Sequence, residues 1–306
     1  MKVLLTGSSG FVGKQLAKIY PDCRHVVRKG RNCEFKNVIV VDNIDGNVDW
    51  DGCFDDIDTI IHLASIAHRD AISTEDYKEV NTYGTLHLAS EAVRAGVKRF
   101  VFVSSIGVNG TSTYKERFSV KSLTCPHNAY AQSKYEAELG LKRIAEQTGL
   151  EVVIVRPTLV YGLDAPGNFG MLTRLVDKFL LLPFGLANNR KDFIAVQNLV
   201  DLLNACAEHP SAPGHVFLAS DGETVSIKQF TNAIAEGLGK KVIQLPIPVI
   251  LMRLAGRLIG KSSMIEQLYG NLEVDSSNIK EVLGWTPPLT MNQAMATLRD
   301  SGVNTK

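Results

Sequence analysis

Lys2-Val3-Leu4-Leu5-Thr6 runs straight into Gly7-Ser8-Ser9-Gly10-Phe11-Val12-Gly13, after which apolar residues recur at helical spacing as Leu16, Ala17 and Ile19. The order is strand, glycine turn, helix. Glycines at such a turn permit positive φ and close approach of a ligand to backbone, and the helix amino terminus presents free N–H groups and positive dipole to an anion. The segment expects the pyrophosphate of a dinucleotide, cradled by Gly7, Ser9, Gly10, Phe11, Val12 and Gly13. Its spacing is Gly-x-x-Gly-x-x-Gly rather than Gly-x-Gly-x-x-Gly. Position at the head of a βαβ unit is what favours binding over a plain tight turn.

The same alternation continues along the chain. Apolar runs predict strands over Lys2–Thr6, His25–Val27, Val38–Asp42, Thr59–Leu63, Arg99–Ser104, Val152–Arg156 and His215–Ala219. Amphipathic stretches predict helices over Gly10–Tyr20, Asp76–Ala95, Ala129–Thr148, Phe169–Phe179, Gln197–Glu208, Ile227–Leu238, Val249–Leu258 and Met291–Ser301. Continuous apolar strands alternating with helices imply an α/β fold, a Rossmann-type doubly wound parallel sheet covered on both faces. From Tyr161 onward the alternation weakens. We therefore expect a dinucleotide-binding core over 1–160 and a smaller, discontinuous substrate-binding region over 161–306, with 193–219 returning to the core sheet.

Tyr130 and Lys134 stand four residues apart in Asn128-Ala129-Tyr130-Ala131-Gln132-Ser133-Lys134, on one face of a predicted helix. A phenol titrates near pH ~10, and an ammonium one turn away favours its phenolate, so the pair suits acid-base work on a hydroxyl or carbonyl. On a surface helix the same spacing is commonly a solvated pair. Ser104 and Ser105 end an apolar strand, where ligands of doubly wound sheets lie, so one serine is expected to face the cleft.

Taken with the glycine turn, these residues resemble the extended branch of the short-chain dehydrogenase/reductase family, whose members mostly act on nucleotide sugars. The resemblance also rests on Ile61-His62-Leu63-Ala64-Ser65, Asn81-Thr82-Tyr83-Gly84-Thr85, Phe102-Val103-Ser104-Ser105-Ile106-Gly107-Val108, Val155-Arg156-Pro157-Thr158-Leu159-Val160-Tyr161-Gly162 and Leu283-Gly284-Trp285-Thr286-Pro287. It implies Tyr130, Lys134 and Ser105 as the catalytic set. Ser105 is selected because Val108-Asn109-Gly110 takes the place of a family Val-Tyr-Gly; Asn109 departs from that pattern at a position outside the usual chemistry. By the same resemblance Asn43 and Ile44 lie at the adenine, Leu63, Ala64, Asn81 and Pro157 line the rest of the dinucleotide, and Asn168, Arg190 and Lys191 grip the substrate diphosphate. His68, Arg69 and Asp70 fall in the loop where relatives meet the sugar, and His62 is expected as a core histidine.

Cofactor choice turns on the end of the second strand, where an acid favours NAD and arginine accommodates a 2′-phosphate. The chain reads Arg28-Lys29-Gly30-Arg31 with no acid there, which tilts the expectation from NAD toward NADP. The expected reaction is hydride transfer at C4 of a nucleotide-linked hexose, favoured as a 4-keto-sugar reductase over a UDP-sugar 4-epimerase with retained NAD. A dehydratase is set aside because Ile106 and Gly107, not an Asp-Glu pair, follow Ser105. A dinucleotide-sensing regulator without chemistry is disfavoured by the presence of Ser105, Tyr130 and Lys134 together.

Composition agrees. With 306 residues, 45% hydrophobic, the chain can bury a large core, and a net charge of +1 favours neither nucleic acid nor an anionic surface. Its five cysteines, Cys23, Cys33, Cys53, Cys125 and Cys206, form no Cys-x-x-Cys, which argues against a disulfide framework or zinc and for a reducing, cytoplasmic setting. Met1 leads directly into the first strand, without secretory-signal character. The most apolar stretch, Leu245–Ile259, is broken by Pro246, Pro248, Arg253 and Arg257, so no membrane span is expected. The expected partner is a nucleotide sugar, UDP-linked, with no metal and no nucleic acid; a homodimer is compatible with this composition.

Overall fold

The computed structural model describes residues 1–30, 35–67 and 73–300. In chain order the strands are β1 (Val3–Thr6), β2 (Arg24–Arg28), β3 (Val38–Val41), β4 (Thr59–His62), β5 (Arg99–Val103) and β6 (Glu151–Pro157), then β7 (Leu159–Tyr161), β8 (Leu181–Leu182), β9 (Lys191–Ala195), β10 (Val216–Ala219), β11 (Thr224–Val225) and β12 (Ile243–Gln244). Helices α1 (Phe11–Ile19), α2 (Thr74–Lys78), α3 (Thr85–Arg94), α4 (Ala129–Thr148), α5 (Gly167–Lys178) and α6 (Val196–Glu208) are followed by α7 (Ile227–Gly237), α8 (Val249–Leu258), α9 (Ser262–Tyr269), α10 (Ser277–Leu283) and α11 (Met291–Ala296).

Seven parallel strands form the main sheet in the order β10-β6-β5-β4-β1-β2-β3. Strand alternation explains why it is covered twice. Leu5, Ile61, Val101 and Val153 point into a core shared with α1 and α6, while Leu4, Ile60, Phe100 and Val152 point into the opposite core with α3 and α4. The fold is thus a Rossmann-type doubly wound sheet. Chain order reverses between β1 and β4, which pair from Val3↔Thr59 to Thr6↔His62. The carboxyl ends of those two strands open the crevice in which such sheets bind ligands.

A smaller core gathers Tyr161, Phe169, Phe184, Phe193 and Phe230 beneath a three-stranded sheet, β11-β9-β7. Here the structure departs from the expected return at Phe193: β9 pairs with β7 and β11, not with the main sheet. The cause is visible in adjacent residues. Phe193 stacks on Phe230 at 3.8 Å in the small core, whereas Ile194 reaches the main core, so the strand bridges the two. Helix α6 and strand β10 do rejoin the main sheet.

The predicted helix over Asp76–Ala95 is interrupted. Between α2 and α3 the chain makes a π-helical turn, Glu79–Gly84, and a Cβ on Gly84 would meet the Ile44 carbonyl oxygen at 2.5 Å. π turns concentrate at functional sites, and this one carries Asn81 and Thr82 inward.

Candidate active site

The glycine turn sits at the mouth of the β1–β4 crevice. Gly7 has φ +76, and a Cβ there would meet Ala64 N at 2.8 Å; a Cβ on Gly13 would meet Gly7 O at 2.1 Å. Only glycine allows this closeness. Gly10 caps α1 without a side-chain hydrogen bond, which leaves the first-turn N–H groups free of a competing cap. A cradle closed to side chains and rich in donors fits a dinucleotide pyrophosphate, with Ser9 and Gly10 in the turn, Phe11 and Val12 opening α1, and Leu63 and Ala64 the opposite wall.

Strand β5 delivers both serines, and they part at once. Ser104 is buried and donates from Oγ to Glu138 Oε1 at 2.5 Å. Glu138 in turn takes Arg156 Nε at 2.9 Å and Nη2 at 2.5 Å, and Arg156 Nη1 donates to Asn109 Oδ1 at 2.9 Å. Ser105 turns the other way: its hydroxyl is hydrogen-bonded with the Tyr130 phenol, as is that of Ser65. Sequence reasoning does not single out Ser65. It follows β4 as the serine pair follows β5, and the same strand-end argument would flag it.

Helix α4 holds Tyr130 because Asn128 caps it, accepting Ala131 N at 2.8 Å. The π turn then clamps the arrangement. Asn81, expected at the dinucleotide, is fully buried; it accepts Ile66 N at 2.8 Å and donates to Ile66 O and Ser133 Oγ, each at 3.0 Å. Ser133 Oγ donates to Tyr130 O at 2.8 Å. Asn81 therefore ties the loop carrying Ser65 to the helix carrying Tyr130.

Lys134 departs from the coupling expected of it. Its Nζ donates to Val103 O at 2.9 Å and lies 4.7 Å from the Phe102 ring centroid, so the ammonium points into β5. Burial lowers its pKa to about 7, opposed by the Glu138 carboxylate. The Tyr130 phenol is not depressed but pushed up to about 12, burial chiefly, with Tyr77 adding, against the hydrogen bonds to Ser65 and Ser105. In this state Tyr130 is a proton donor at neutral pH.

A stability signature follows from Lys134. The unfolded chain keeps that proton to about pH 10.4, whereas the fold releases it near about 7, so the unfolded state binds more protons between the two values and stability rises with pH across that window. Below the window both states are charged and the burial penalty stands in full. Lys134→Met is expected to remove this rise. Urea midpoints at about pH 6 and about pH 9 measure it; an unchanged slope in the variant would contradict the assignment.

Other expected residues fall into two groups. Arg28 ends β2 opposite Val41, and Asn43 and buried Ile44 follow β3, so these three share one end of the sheet. Lys29 pairs with Asp42 at 3.6 Å. Pro157 is buried at the end of β6 beside β10. His62 is buried between Thr6 Oγ1 at 2.7 Å and Thr85 Oγ1 at 2.9 Å, and burial drops its pKa to about 3, which makes it a neutral core histidine. Asn168, Arg190 and Lys191 assemble elsewhere. Asn168 Nδ2 donates to Gln267 Oε1 at 3.5 Å, Lys191 Nζ to Gln267 O, and Arg190 Nη2 to Glu273 Oε2 at 2.9 Å. These side-chain bonds run to the 267–273 segment rather than to Ser105 or Tyr130. Arg31, Cys33, His68, Arg69 and Asp70 lie outside the described residues. Among the described residues no cluster of His, Cys, Asp or Glu could hold a metal, and no helix is long and apolar enough to cross a membrane.

A glycine cradle at the switch point of a doubly wound sheet, beside a serine-bonded tyrosine, defines a dinucleotide-dependent enzyme of the extended short-chain dehydrogenase/reductase type. The chain belongs to the NAD dependent epimerase/dehydratase family, whose model matches residues 3–219. A UDP-glucose 4-epimerase of Vibrio cholerae is 40% identical, the match covering 95% of this chain and 92% of that protein. Among solved structures, a UDP-glucose 4-epimerase of Thermotoga maritima with UDP-glucose aligns at TM-score 0.76 and 20% identity over 98% of each chain. A UDP-N-acetylglucosamine 4-epimerase of Bacillus cereus aligns at 0.78 and 16% identity, over 100% of this chain and 98% of that one.

Proposed function

We propose that this enzyme is a UDP-sugar 4-epimerase, acting at C4 of a UDP-linked hexose. The observation that carries the chemistry is the Tyr130 hydroxyl shared with Ser105, just past β5, and Ser65, just past β4, the strand that pairs with β1 below the glycine turn. The Vibrio relative's activity supports the choice of reaction and of UDP over other nucleotides, and it moves the epimerase ahead of the reductase first expected.

Nicotinamide dinucleotide, when bound, supplies the acceptor that takes hydride from the sugar C4 and gives it back. Tyr130 takes the proton of the 4-hydroxyl as the ketone forms and returns it to the same oxygen when the opposite C4 face is reduced. Ser105 holds that oxygen through both halves. Epimerisation leaves no net oxidation, so Tyr130 needs no outside proton. Lys134 would hold the nicotinamide ribose, and Asn168, Arg190 and Lys191 would hold the diphosphate, where cations and amide donors match its charge. Purified enzyme incubated with UDP-glucose and with UDP-N-acetylglucosamine, products resolved by chromatography, is expected to yield the 4-epimer without consuming added cofactor. Absence of any epimer from either substrate would overturn the assignment.

A 4-keto-sugar reductase using NADP is the second reading, favoured by Arg28 at the end of β2 where no acid stands. Its test needs no sugar. Arg28→Asp is expected to weaken NADPH binding about tenfold or more, as a charge contact becomes repulsion, and to leave NADH binding level or improved. Equal response of the two cofactors in a direct titration would remove this reading; NADPH consumption with a UDP-4-keto-hexose would promote it.

A further inference from the structure

Helix α8 is built the wrong way round for a surface helix. Its inner side is slim: Gly256 is buried where a Cβ would meet Ile265 Cγ1 of α9 at 2.5 Å, with Val249 and Met252 partly covered by the small core. Its outer stripe, spaced three and four residues apart, is large and apolar. Ile250 is 74% exposed, Leu251 54%, Leu254 52% and Leu258 80%. Directly upstream, β12 pairs with β8 so that Ile243 opposes Leu181, and both are exposed as well. Soluble surfaces seldom leave so much connected apolar side chain uncovered without a partner.

Charge says which partner. Residues 240–261 hold Lys240, Lys241, Arg253, Arg257 and Lys261 and no Asp or Glu, in a chain whose net charge is +1. Lys240 pairs with Asp177 and Arg253 with Glu266, so among the described residues Lys241, Arg257 and Lys261 are the cations of this segment with no carboxylate partner. A symmetric contact with a second copy would press this cationic segment against itself. Anionic phospholipid headgroups would neutralise it while the acyl boundary received the leucines. Ten residues make a helix of about 15 Å, half the thickness of a hydrocarbon core, so it can lie in the interface but not cross it.

We propose that α8, with the β8–β12 edge, docks this enzyme on the surface of an anionic bilayer. The docking helix stands one helix away from the candidate diphosphate residues. Packed against α8 through Ile265, α9 presents Gln267, whose carbonyl takes Lys191 Nζ and whose side chain takes Asn168. Attachment goes beyond the proposed reaction and stands or falls separately from it.

Flotation of the purified enzyme with phosphatidylcholine vesicles, with and without phosphatidylglycerol, tests this. Each cation brought to an anionic surface multiplies binding by roughly fivefold at low salt, so binding to the phosphatidylglycerol vesicles is expected to exceed that to the neutral ones by about tenfold or more and to fall as salt rises. Leu254→Glu with Leu258→Glu is expected to abolish binding. Lys241→Gln, Arg257→Gln and Lys261→Gln together are expected to abolish the preference for anionic lipid. Circular dichroism and unchanged turnover of a soluble substrate verify that the variants fold. Failure to float, flotation that survives the glutamates, or a dimer in sedimentation that the glutamates convert to monomer would each overturn the proposal.

Discussion

Tyr130→Phe is expected to lower turnover by about 10²- to 10⁴-fold, the usual range for losing a positioned general acid-base, while dinucleotide affinity stays within a few-fold. The phenylalanine ring keeps the edge contact with Tyr77, whose ring centroid lies 6.2 Å away, so the helix and its packing are undisturbed. What is lost is one hydroxyl and the proton it exchanges. Ser105 and Ser65 remain but have no partner of suitable acidity, since an aliphatic hydroxyl holds its proton far more tightly than a phenol. The phenol, pushed up to about 12, is protonated across the neutral range, so as it stands it is ready to give a proton to a ketone and reluctant to take one from an alcohol. Epimerisation begins from a 4-hydroxyl in either direction, so turnover is expected to rise with pH whichever epimer is supplied. Steady-state rates of wild type and variant, alongside direct titration of the dinucleotide, separate chemistry from binding. Full activity in Tyr130→Phe would remove Tyr130 from the mechanism.

Local pattern is enough wherever one element explains itself. Asn128 as cap, Ala129–Thr148 as helix and Gly149 at φ +77 as stop appear in the structure with the bounds their residues dictate, and the main-sheet strands follow from unbroken apolar runs. Pattern fails where distant parts of the chain decide. The periodicity of Asp76–Ala95 is helical throughout, and it is the approach of Ile44 to Gly84, with Asn81 reaching Ile66 and Ser133, that accompanies the π turn. Helix α9 escapes the sequence reading because Ser262–Tyr269 is only two turns long, its short stripe of Ile265, Leu268 and Tyr269 reaching the small core and Ile265 seated against Gly256. In the site, the Tyr130–Lys134 spacing is legible but the direction of Lys134 is not. Spacing places an ammonium on a face; the Val103 carbonyl and the Phe102 ring decide where it goes.

Glu138→Gln is expected to cost about 3–5 kcal/mol of stability, because it strips the counter-charge from a buried guanidinium. Arg156 holds Glu138 through both of its oxygens, Ser104 and Asn109 close the two ends, and all four residues are buried. The substituted amide would keep the shape and lose the charge, leaving Arg156 cationic in a low-dielectric interior with an amide oxygen in place of the carboxylate. The amide nitrogen would face N–H donors. Removing both partners is a different matter: Glu138→Leu with Arg156→Met empties the site of charge, and replacements of that kind are often close to neutral. Urea unfolding of the single and double variants tests the point. Glu138 also matters to the site above it, since its carboxylate supports the charge on Lys134 against burial. In Glu138→Gln the Lys134 pKa is therefore expected to fall below its already lowered value, so that the rise of stability with pH begins at lower pH while its upper end stays at the unfolded value. A double variant as unstable as the single one would mean that Ser104 and Asn109, not the ion pair, set the cost, and that the network serves to fix where β5 ends and Ser105 begins.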